Sequence, residues 1–112
     1  MTELTSHSLD EFVRANRFAV IHFWAAWNGY DATMKDILRS QIPTEPARVI
    51  AFGMFDTDPK HHHDICMRHR VLNLPFLAFY RDGSLVQSLT GLRTADEIAA
   101  LLRKLAFEDV LG

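Results

Sequence analysis

Phe18-Ala19-Val20-Ile21-His22-Phe23-Trp24-Ala25, running into Ala26-Trp27-Asn28-Gly29-Tyr30-Asp31, is the stretch on which the fold turns. Its first eight residues are apolar on both faces except at His22, the pattern of a strand covered on two sides. Asn28 then stands where a helix N-cap is favoured. Met34, Ile37 and Leu38 follow at helical spacing, which predicts a helix over 29–40. A buried strand running through a short loop into a helix is one unit of an α/β sheet.

Towards the N-terminus, Ser8-Leu9-Asp10-Glu11 has the spacing of a capping box and predicts a short helix to about Asn16, with Leu4 starting a short edge strand before it. Towards the C-terminus, Pro43 and Pro46 mark a loop, and 47–55 reads as a second buried strand. Asp58-Pro59 is placed to open a helix reaching about Arg70. A third strand is expected over 75–80, a hairpin turn at Arg81-Asp82-Gly83-Ser84 and a fourth strand over 85–89. Thr94-Ala95-Asp96-Glu97 is a second capping box, opening an amphipathic helix with Ile98, Leu101, Leu102 and Leu105 on one face. Early alternation followed by a late hairpin predicts an α/β domain over 1–112, with a mixed sheet of four or five strands and helices on both faces.

Composition narrows the function classes. The chain has 112 residues, of which 48% are hydrophobic, enough for one core. A formal net charge of −2, with no block of like charges, argues against nucleic acid or an anionic membrane as partner. The longest apolar stretch, 18–27, is interrupted by His22 and falls well short of the ~20 residues a spanning helix needs. Met1-Thr2-Glu3-Leu4 has neither a basic start nor an apolar run, so no secretory signal is expected. With Cys66 as its single cysteine the chain forms no intrachain disulfide, and a reducing cytoplasm is the expected compartment.

At Phe23-Trp24-Ala25-Ala26-Trp27-Asn28-Gly29-Tyr30-Asp31 the sequence resembles thioredoxin, whose members carry Phe-Trp-Ala-x-Trp-Cys-Gly-Pro-Cys at the end of the first central strand. Leu74-Pro75-Phe76, followed by an apolar strand and Asp82-Gly83, is similar to the family's cis-proline segment and the turn beyond it. Gly91 and the closing helix also match. The resemblance spans nearly the whole chain and implies a thioredoxin-like fold with Pro75 in cis. Between Asp56 and Pro75 the chain is some four residues longer than the usual pattern, in its histidine-rich stretch.

The departures bear on chemistry. Asn28 stands where the resemblance places the nucleophilic cysteine and Asp31 where it places the resolving one. Tyr30 replaces the intervening proline, His22 the buried aspartate that assists proton transfer, and Phe52 a lysine on the adjacent strand. Exchange needs a thiolate attacking sulfur, so dithiol oxidoreductase activity is not expected. Asn28 and Asp31 are read first as a cap and a first-turn acid favoured by the helix dipole. A contact between His22 and Asp31 is the sharper reading; without a Ser, Cys or metal, such a pair is at best half a triad.

The family's members bind extended peptides beside the active-site loop and the cis-proline. The corresponding ridge here comprises Trp27, Tyr30, Leu74, Pro75 and Phe76, with Trp24 packed beneath. Phe76 is read equally as ridge or core, since neighbours along a strand alternate.

Lys60-His61-His62-His63-Asp64-Ile65-Cys66-Met67-Arg68-His69 places His62, Cys66 and His69 on one helical face, residue types that ligate zinc. Ile65 shares that face, which marks it as core-facing, and the spacing matches no standard zinc motif. No metal and no cofactor is therefore assigned, and Cys66 is expected to be inert. The expected function is a redox-inactive adaptor or chaperone-like module binding an unidentified protein partner, itself a monomer or a weak dimer. The alternative is an enzyme, or a redox- or metal-responsive protein, using Asn28, Asp31 and His22, or Cys66 and the histidine-rich helix.

Overall fold

The computed structural model describes residues 1–58, 63–71 and 73–107. Its elements run β1 (Thr2–Leu4), α1 (Leu9–Ala15), β2 (Phe18–Trp24), α2 (Gly29–Gln41), a 3-10 turn (Pro46–Val49), β3 (Ile50–Asp56), α3 (His63–Arg68), β4 (Phe76–Arg81), β5 (Ser84–Thr90) and α4 (Ala95–Phe107). The sheet order is β1-β3-β2-β4-β5. The first three strands are parallel and the last two antiparallel, so the sheet is mixed and five-stranded.

The apolarity of β2, broken at His22, and of β4 as far as Tyr80 follows from burial on both faces. On one face Phe18, Val20, Phe52, Leu77 and Phe79 pack with Met34 and Leu38 of α2 and with Ile98, Leu102 and Leu105 of α4. On the other, Ala19, Ile21, Phe23, Phe55, Phe76, Ala78 and Tyr80 pack with Leu9 and Val13 of α1 and Ile65 of α3. Gly53 of β3 leaves room for the Leu4 side chain of β1: a Cβ there would sit 2.6 Å from Leu4 Cδ1.

Local signals met different fates. At α4 the Glu97 N–H donates to Thr94 Oγ1 at 3.1 Å and the Thr94 N–H to Glu97 Oε1 at 3.2 Å, closing the reciprocal capping box. At α1 it does not form. Ser8 Oγ instead accepts the Thr5 N–H at 2.9 Å, using up the oxygen that would have capped the helix. The strand expected over 47–55 starts at Ile50, because Pro46 opens a 3-10 turn and pairing with β2 begins only at Phe18↔Ile50. The helix expected from Asp58-Pro59 begins outside the described residues. Its end is at Arg68, after which Arg70 turns into left-handed backbone (φ 59°) and the Val71 N–H closes on the Cys66 carbonyl.

Asp82 and Gly83, at φ 52° and 83°, make the tight β4–β5 turn, a conformation that favours Asp-Gly. In β5, Gln87 faces Phe79 while Leu85 faces Tyr80, leaving Val86 as an extra, bulged residue. The strand is exposed along its length apart from Leu89. Among the described residues no helix is long and apolar enough to cross a membrane.

Candidate functional site

β2 ends at Trp24, and the chain makes one short loop before α2 starts at Gly29. Asn28 is the N-cap: its Oδ1 accepts the Tyr30 N–H at 3.0 Å, satisfying one of the donors a helix start leaves open. Its Nδ2 donates to the Leu74 carbonyl at 3.1 Å, tying the helix start to the segment before β4. The Leu74–Pro75 peptide bond is cis.

Beneath this loop the structure brings His22 and Asp31 together. His22 Nε2–H donates to Asp31 Oδ1 at 3.0 Å, and the Ala25 N–H donates to Asp31 Oδ2 at 3.1 Å. Both side chains are shut off from solvent, His22 at 0% and Asp31 at 2% exposure. The carboxylate thus has a partner on each oxygen and lies in the first turn of α2, where the helix dipole favours it. His22 Nδ1 has no partner among the described residues. Buried in this way, the pair links β2 to the first turn of α2.

The surface residues divide. Trp27 and Tyr30 stand out at 71% and 64% exposure. Trp24 is half-buried, with Lys35 Nζ 4.6 Å over its ring. Leu74 is half-buried against the core and Pro75 is buried. Phe76 corrects its assignment to the ridge. It pairs with Phe23 across β2 and β4, its ring meets that of Phe23 edge-on at 5.8 Å, and it is 3% exposed. As the first residue of β4 it takes the inward side of the pleat.

Elsewhere, on the α1–α3 side, lies a group that sequence reading missed. Tyr80 donates its hydroxyl hydrogen to His69 Nδ1, and His69 Nε2 faces Asp10 Oδ1 at 3.6 Å. Arg68 Nη1 meets the other Asp10 oxygen at 3.2 Å. Both ring nitrogens of His69 are therefore engaged, which leaves neither for a metal. His62 lies outside the described residues, and among these no three His, Cys, Asp or Glu side chains converge to hold a metal ion. Burial pushes the Cys66 thiol up, away from the reactive thiolate. No local pattern announces the Asp10–His69–Tyr80 set, since its members come from separate parts of the chain.

Burial lowers the His69 pKa from its ordinary value, and neighbouring Arg68 adds to this while Asp10 opposes it. The unfolded chain therefore takes up this proton first as pH falls. The stability tied to His69 is complete above its unfolded pKa of about 6.5 and is lost as pH falls below that value towards the folded one. Thermal melting should accordingly drop between pH 7.5 and 5, and His69→Gln should drop less over the same interval. An unchanged pH slope in the variant would contradict the assignment.

A mixed sheet that presents a strand–loop–helix site next to a cis-proline defines the class of thioredoxin-like folds. The chain belongs to the thioredoxin family, whose profile matches residues 1–104. It is 28% identical over 96 residues to thioredoxin of Mycobacterium tuberculosis, covering 86% of this chain and 78% of that one. It is 24% identical to human endoplasmic reticulum resident protein 44, covering 93% of this chain but 27% of that longer protein. Among solved structures, a mutant thioredoxin of Halobacterium salinarum superposes with a TM-score of 0.83 at 19% identity, covering 94% and 89% of the two chains. Mitochondrial thioredoxin 3 of Saccharomyces cerevisiae, in its oxidised form, gives 0.81 at 24% identity, covering 94% and 95%.

Proposed function

We propose that this domain is a redox-inactive member of the thioredoxin family that serves as a protein-binding adaptor through the altered site. The observation that carries the reading is the contrast within one loop. Trp27 and Tyr30 project into solvent, while Asp31 between two hydrogen bonds and the buried His22 are withdrawn from it. Dithiol exchange is lost without sulfur at 28 and 31, and burial pushes the pKa of the one thiol, Cys66, up. Large exposed aromatics are the side chains that dominate protein interfaces. A reducing compartment such as the cytoplasm suits a chain with no disulfide to keep.

The test is affinity capture with wild type and with Trp27→Ala/Tyr30→Ala, followed by direct titration of any captured protein in purified form. A partner whose Kd weakens about tenfold or more in the double variant, with both proteins equally stable, is the expected result. Equal affinity for both forms would remove this loop as the binding surface.

A further inference from the structure

Two main-chain acceptors at the entry to β4, the Leu74 and Pro75 carbonyls, are already engaged. Asn28 Nδ2 donates to the Leu74 carbonyl at 3.1 Å across 46 positions of sequence. One residue on, the Pro75 carbonyl accepts the Gly91 N–H at 2.8 Å. Pro75 itself has no N–H to offer. A polypeptide that binds by adding a strand needs open donors and acceptors in register along the segment it joins. A carbonyl does have a second lone pair, but an incoming donor at Leu74 would have to share the oxygen with a carboxamide already seated on it.

Asn28 is also held from its other end. Its Oδ1 caps α2 through the Tyr30 N–H, so swinging the side chain away to admit a strand would uncap the helix as well as free the carbonyl. The residues on either side of it behave differently. Trp27 and Tyr30, one before and two after, expose most of their rings, contact area that does not depend on main-chain pairing.

We propose, building on the reading of this loop as a docking surface, that Asn28 blocks strand addition at Leu74 and so selects the kind of partner. The surface takes a folded protein that sets an apolar side chain against Trp27 and Tyr30, and it refuses extended or unfolded polypeptide.

Two variants separate the block from the cap. Asn28→Ser keeps a good N-cap oxygen but ends too short to stay on the Leu74 carbonyl. Asn28→Asp keeps the cap acceptor and removes the amide donor. The probe is reduced, carboxymethylated ribonuclease A, permanently unfolded and fluorescently labelled, titrated by anisotropy with each purified protein after circular dichroism has confirmed folding. Both variants should bind the probe about tenfold or more tightly than wild type. Binding by wild type as tight as by the variants, or no gain in either variant, would overturn the proposal. Trp27 and Tyr30 are untouched in this experiment and the natural partner is absent from it. Failure here thus leaves the adaptor reading standing, and failure of the capture experiment leaves the Asn28 result standing.

Discussion

Asp31→Ala should lower stability by about 2–4 kcal/mol, since it leaves two buried polar groups without partners at about 1–3 kcal/mol each. The loss has two sources in this structure. The imidazole of His22, wholly buried, is left with neither nitrogen engaged, and the Ala25 N–H loses its acceptor. A buried polar group without a partner bears its full desolvation penalty. Adding His22→Leu to Asp31→Ala should recover part of the loss, because the orphaned ring is then gone while the Ala25 N–H stays unpaired. Urea unfolding followed by circular dichroism measures all three forms. A loss under about 1 kcal/mol for Asp31→Ala would show that the pair is incidental to the fold.

Phe76→Ala should be similarly damaging, about 3–5 kcal/mol, as befits truncation of a buried aromatic ring. Phe76 lies against Phe23, whose ring in turn meets Phe55 at 5.6 Å and His69 at 5.8 Å, so the cavity would open in the middle of one core. Tyr30→Ala, by contrast, removes a ring that is 64% exposed and should change stability by no more than about 0.5 kcal/mol. The pair of results discriminates between surface and core: a binding defect in Phe76→Ala reports on folding, and one in Tyr30→Ala reports on contact. Equal unfolding midpoints for Phe76→Ala and wild type would contradict its placement in the core.

What could be read in advance was what lies within a few residues in sequence. The two-sided apolar runs of β2 and β4 announced a covered sheet, and Thr94 with Glu97 announced the start of α4. Asn28 was legible as a cap because the acceptor and its donor, the Tyr30 N–H, are two residues apart. Ser8 looked equivalent, yet its oxygen had a competing donor at Thr5 that no propensity rule weighs. The face taken by Phe76 depended on register against β2, which alternation alone does not supply. The His22–Asp31 pair was visible only through the family resemblance, which laid one position beneath the other. The Asn28–Leu74 bond and the Asp10–His69–Tyr80 set join residues from distant elements, and only the folded chain puts them side by side.

The outer strand β5 has a bearing on colloidal behaviour. It offers an open edge of seven residues with neither a charge nor a proline to repel a neighbouring molecule, and the net charge of the whole chain is only −2. What interrupts that edge is Val86. The bulge there divides the strand and adds local twist, so the longest regular stretch along which another chain could dock is the four residues 87–90. In this domain a single extra residue shortens the edge on which a second chain could pair, where other sheets rely on lysines.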